Sequence, residues 1–121
     1  MLWRIGLISL ALTTLLGCSA PIGQSYFKRA LEKENRKDYQ GAIADYTEVI
    51  RLNPEDADAF YYRGLAKYKL GDYQSAIIDY TEVIRLNPNY CHAVSQNRGL
   101  AKEALEDKQG GINDYYFHGC Y

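Results

Sequence analysis

The chain has little of what catalysis and nucleic-acid binding draw on. Its 14 Lys and Arg stand against 15 Asp and Glu, a formal charge of −1. That leaves no basic excess to track a phosphate backbone, so nucleic acid is not an expected partner. Only 2 histidines occur, His92 and His118, both in the least regular part of the sequence. No glycine-rich phosphate loop, nucleophile elbow or Glu-bearing zinc motif is present. The expectation is a chain without enzymatic activity, catalytic residues, cofactor or metal centre. Low-complexity tracts are absent too. Of 3 prolines, Pro54 and Pro88 stand 34 residues apart, and that spacing leads to what the chain does contain.

Asp38–Pro54 recurs as Asp72–Pro88 with only Gly41/Ser75 and Ala44/Ile78 changed. Self-similarity at a period of 34 means one helix–turn–helix unit stacked on itself. Within the second unit, Asp56 to Leu70 clusters Ala59, Phe60, Gly64 and Leu65 on one side, a helical periodicity. Leu70-Gly71-Asp72 breaks that helix, glycine supplying a left-handed exit and Asp72 a cap for the next start. Tyr73 to Leu86 then carries Tyr73, Ala76, Ile77, Tyr80, Val83 and Ile84 at i, i+3, i+4, i+7, an amphipathic stripe. Asn87-Pro88 ends it, because proline disfavours helix at the preceding residue. The paired helices must lie antiparallel, and their shared apolar face still needs a neighbouring pair.

These residues resemble the tetratricopeptide repeat, whose pattern sets an aromatic, Gly, Ala, a second aromatic and Pro at fixed positions. The second unit supplies Phe60, Gly64, Ala76, Tyr80 and Pro88, and the first supplies Tyr26, Ala30, Ala42, Tyr46 and Pro54. The resemblance implies an all-α fold: antiparallel hairpins stacked as a short right-handed α-solenoid, with units at about 23–56, 57–90 and 91–121. The third unit is degraded. Arg98-Gly-Leu-Ala-Lys102 repeats Arg63-Gly-Leu-Ala-Lys67 at a distance of 35, so one residue is inserted after Pro88. Ser95 falls where Phe60 stood and Gly111 where Ala76 stood, and Gly110-Gly111 costs the last helix roughly 2 kcal/mol against alanine.

The N-terminus reads as a leader rather than as part of the fold. Ile5 to Leu16 is apolar apart from Ser9, Thr13 and Thr14, shorter than the roughly 20 residues of a membrane span. Leu15-Leu16-Gly17-Cys18 resembles a bacterial lipobox, in which the cysteine is lipidated and becomes the new N-terminus. The expectation is a signal peptide over residues 1–17 cleaved before Cys18, a tether over 18–24 and a repeat domain over 25–121. The chain would then sit in the bacterial cell envelope, membrane-anchored or secreted. An uncleaved anchor is the alternative, since no charge separates Arg4 from Lys28.

Two patterns compete for a functional role. Arg29/Lys33, Arg63/Lys67 and Arg98/Lys102 recur at i, i+4 on the first helices, and Asp45, Asp79 and Asp114 recur on the second helices. They read either as a cationic ladder for acidic peptides or as ion pairs that set register inside the stack; the second reading is favoured. In repeats of this kind the first helices line a concave groove. The matching positions are Phe27, Leu31, Glu34, Tyr61, Leu65, Tyr68, Gln96, Leu100 and Glu103, of which Phe27, Leu31, Tyr61, Leu65, Tyr68 and Leu100 are the expected partner-binding residues. Some members of the family hold a C-terminal carboxylate with Lys and Asn at these positions. Phe27 and Leu31 do not match, so an apolar protein or peptide segment is the expected partner.

Cys91 and Cys120 lie at the two ends of the third hairpin, on one side of it. With Cys18 lipidated they are the remaining thiols. A disulfide, a pair of free thiols and, less readily, a zinc site with His92 and His118 all stand open. The functional expectation is a membrane-tethered module that binds a protein partner through its concave surface. The alternatives are a self-associating structural repeat, its copies stacked end to end, and a remnant of a longer array.

Overall fold

The computed structural model describes residues 22–117 and Cys120; the leader and Cys18 lie outside them. Six helices follow in order: α1 Ile22–Asn35, α2 Tyr39–Leu52, α3 Ala57–Lys69, α4 Tyr73–Leu86, α5 Cys91–Ala104 and α6 Lys108–Phe117. The described residues contain no strand. Each helix packs against its sequence neighbours, so three antiparallel hairpins stack into a solenoid. The first helix takes in Ile22–Gln24, assigned from sequence to the tether. Gly23 is the one poor helix former among them, too little to stop a helix that Tyr26 and Phe27 anchor.

Local chemistry sets the boundaries. Asp38, Asp56 and Asp72 cap α2, α3 and α4, each carboxylate accepting from the backbone N–H three residues on at 3.0–3.3 Å, which satisfies a donor the helix leaves open. Gly71 ends α3 at φ 82°, the left-handed region that glycine enters without a Cβ penalty. The N–H of Asp72 then closes on the Lys67 carbonyl at 3.0 Å. The residue inserted after Pro88 is absorbed in a 3-10 turn, Pro88–Tyr90, before α5 begins.

Two aromatic cores run through the stack. Tyr46 is fully buried with Ala30 and Ala42, against Phe27, Leu31 and Tyr62; Tyr80 is fully buried with Ala76, Val83 and Val94, against Phe60, Tyr61, Leu65 and Tyr68. Gly64 lets Tyr80 in, since a Cβ there would stand 2.8 Å from its ring. In the third hairpin Gly99 and Gly111 meet face to face. A Cβ on Gly111 would lie 3.0 Å from the Gly99 carbonyl oxygen. The glycine that reads in sequence as a lost alanine therefore brings two backbones together. Cys91, buried at the start of α5, is bonded to Cys120, with Cα atoms 5.9 Å apart.

Candidate functional site

The charged ladder resolves into three clamps between paired helices. Arg63 grips Asp79 with two guanidinium nitrogens at 2.8–2.9 Å, and Lys67 Nζ adds a contact at 2.8 Å. Arg98 and Lys102 hold Asp114 in the same way at 2.6–3.0 Å. Arg29 Nε lies 2.7 Å and Lys33 Nζ 2.9 Å from Asp45. Successive units are linked as well, because Arg63 Nη1 donates to Thr47 at 3.2 Å and Arg98 Nη1 to Thr81 at 3.3 Å. The cations that would grip an acidic peptide are thus turned onto the fold's own carboxylates.

The carboxyl of Asp45 is held below its ordinary range, chiefly by the Arg29 guanidinium. Burial pushes Asp114 up, yet the hydrogen bonds from Arg98 and Lys102 together bring it below the ordinary range. Both groups have a folded-state value below the unfolded one. The stability they contribute is present above about pH 4 and is lost as pH falls through the lower, folded values.

Leu65 and Tyr68 on α3 and Leu100 on α5 converge on one groove of about 220 Å³, lined also by Lys69, Asn97 and Tyr80 of α4. Tyr61 joins this groove indirectly, its hydroxyl accepting from Asn97 Nδ2 at 3.3 Å. Phe27 and Leu31 lie elsewhere. Phe27 packs edge-on against Tyr46 and Tyr62, with centroids 5.4 and 5.5 Å away. Together with Leu31 it lines a separate, more open space of about 550 Å³ against Val49, Leu52, Asp56 and Asp58. The six residues expected to form one lining are divided between two places.

Sequence reasoning missed Asn97, and the repeat held the signal. Asn97 stands 35 residues after Tyr62, the same offset that relates Arg98 to Arg63. Tyr62 stacks on Tyr46 with centroids 6.0 Å apart and planes at 19°. At the next junction the smaller amide leaves the corresponding space beside Tyr80 open, and that space is the groove. Three buried polar atoms have no hydrogen-bond partner among the described residues: Tyr46 Oη, Tyr80 Oη and Glu34 Oε1. Burial pushes both phenols and the Glu34 carboxyl up from their ordinary values. Among the described residues no cluster of His, Cys, Asp and Glu is arranged to hold a metal.

A stack of near-identical helical hairpins with an apolar cleft between first helices is a repeat scaffold. Residues 27–90 match the tetratricopeptide repeat family, more than half the chain, and the chain belongs to that family. Among solved structures it is similar to the second repeat domain of Spaghetti (RPAP3) bound to the HSP90 peptide SRMEEVD: 25% identity over 80% of this chain and 89% of that one, TM-score 0.74. It is similar to MamA, with 23% identity over 88% of this chain and 58% of that one, TM-score 0.77. The TPR2B domain of yeast Sti1, in complex with pHsp70, has 24% identity over 78% and 75% of the two chains, TM-score 0.73. No curated protein matches the sequence.

Proposed function

We propose that the chain is a membrane-tethered interaction module that seats an apolar segment of a protein partner in the groove between α3 and α5. The groove itself carries this reading. At about 220 Å³ it falls below the roughly 300–1,000 Å³ of small-molecule sites, so it suits one or two side chains of a peptide. Burying one large apolar side chain is worth about 1.5–3 kcal/mol, so useful affinity needs further contacts along the concave face. The peptide complexes of Spaghetti and Sti1 support peptide binding as the general mode. An acidic C-terminal tail fits poorly here, because the one cation among the described residues lining the groove, Lys69, has its Nζ over the Tyr39 ring and Arg63 and Lys67 are engaged with Asp79.

A peptide selected on the full chain from a random phage-displayed library, then synthesised, tests the groove. Asn97→Tyr places in it the ring that Tyr62 places at the preceding junction, and it is expected to weaken that peptide at least tenfold while helicity is kept. Unchanged affinity would remove the groove from the binding surface.

The tether rests on the leader, since no helix among the described residues is long and apolar enough to cross a membrane. Intact mass of the chain from a bacterial membrane fraction is expected to show a start at Cys18 carrying lipid. A species retaining Met1 would replace lipidation with an anchor. End-to-end stacking of copies is the weaker reading. Ser25 and Glu32 on α1, both exposed, occupy the positions where α3 has the buried Ala59 and Ala66, so that end of the stack presents polar groups.

A further inference from the structure

The geometry points to a polar anchor within the groove: the Tyr80 hydroxyl donates to a main-chain carbonyl of the docked segment, beside an apolar side chain seated among Leu65, Tyr68 and Leu100. This deepens the groove reading above and rests on it. Tyr80 is fully buried, lines the groove, and its Oη has no partner among the described residues. A buried hydroxyl left unpaired is costly, and a ligand that supplies an acceptor recovers that cost on binding. The phenol remains a neutral donor, since burial pushes its ionisation upward. A neutral donor in an apolar cleft matches an amide carbonyl better than a carboxylate, whose desolvation needs an opposing charge. The nearest candidate for that charge, Lys69, has its Nζ 5.3 Å over the Tyr39 ring. Apolar side chain and adjoining carbonyl together are the minimal unit of a peptide.

The fold contains its own control. Tyr46 has the same buried, unpartnered hydroxyl, but Tyr62 stacks on its ring, whereas Tyr80 borders the groove, so a docked segment that parts the groove's side chains meets the Tyr80 hydroxyl and not that of Tyr46. N-acetyl-leucine-N-methylamide is the probe, titrated into the full chain with its disulfide intact and followed by amide chemical shifts. Binding in the roughly millimolar range is expected, with shifts on α3 and α5. Tyr80→Phe should weaken it about five- to tenfold while leaving thermal stability equal or higher. Tyr46→Phe should leave binding unchanged, and Asn97→Tyr should abolish it.

If Tyr80→Phe binds as the unaltered chain does and Asn97→Tyr does not bind, the anchor is wrong and the groove stands. Binding that survives Asn97→Tyr, or a probe that shifts nothing in the unaltered chain, overturns the groove and the anchor together. Tighter binding of N-acetyl-leucine with a free carboxylate would make this an anion site and overturn the carbonyl assignment.

Discussion

Asp79→Ala is expected to cost about 3–5 kcal/mol, the range for stranding a buried charge by removing its partner. Total stabilities of single domains are only about 5–15 kcal/mol, so the variant should be largely unfolded in mild urea. The size follows from burial. Asp79 is 1% exposed, and the Arg63 and Lys67 side chains that meet on it are 16% and 17% exposed. Without the carboxylate, two cations one helical turn apart face each other in a space closed by neighbouring units. Asp45→Ala removes the same contacts in the first unit, but Arg29 is 53% exposed and turns to water. Its loss should be clearly smaller than that of Asp79→Ala, because water screens the half-exposed cation.

Urea unfolding followed by helical circular dichroism compares the two variants directly. Equal losses would sink the account, because they would place the energy in the carboxylate rather than in the stranded cations. A third variant separates pairing from packing. The family pattern has Leu and Tyr where Arg63 and Lys67 stand. Arg63→Leu with Lys67→Tyr and Asp79→Ala should therefore recover a good part of what Asp79→Ala loses.

The stack was legible in the sequence because each level of description agreed on it. The 34-residue period, the Gly71-Asp72 break with its cap, and the stripe through Tyr80 all required helical hairpins. Helices α3 and α4 lie within a residue or two of where their periodicity places them. The i, i+4 spacing of the recurring Arg and Lys leaves a peptide-gripping ladder and internal ion pairs both open, and the ion pairs are favoured because the family resemblance sets these positions beside the helix–helix seam. What could not be read depended on absolute distance. Gly111 looked like a defect because propensity counts the missing methyl group, while the close approach of the Gly99 carbonyl appears only in three dimensions. The groove was partly legible: Leu65, Tyr68 and Leu100 followed from family positions. Its opening depended on the volume difference between Tyr62 and Asn97, which a search for similarities passes over. Phe27 and Leu31 line a second space, and Phe27 also packs edge-on against Tyr46 and Tyr62, a division between two places that family positions alone do not set.

Removing the disulfide, by Cys91→Ser with Cys120→Ser or by reduction, is expected to destabilise the third hairpin by about 3–4 kcal/mol. The link spans 29 residues, and the chain-entropy cost of closing such a loop gives that range. The loss should be local before it is global. Helix α6 carries Gly110 and Gly111, which disfavour helix, and its tie to α5 runs through the Asp114 clamp and the glycine contact. The first two hairpins keep their own aromatic cores and clamps, so the chain should open from its C-terminal end, as stacked repeats allow. Hydrogen exchange read by mass spectrometry should show residues 108–117 losing protection on reduction while residues 22–86 retain theirs. Unchanged exchange in α6 would mean that packing alone holds the hairpin. Opening α6 also removes Asp114 from Arg98 and loosens α5, which carries Asn97 and Leu100. Ligand affinity in the groove should therefore fall together with α6 protection.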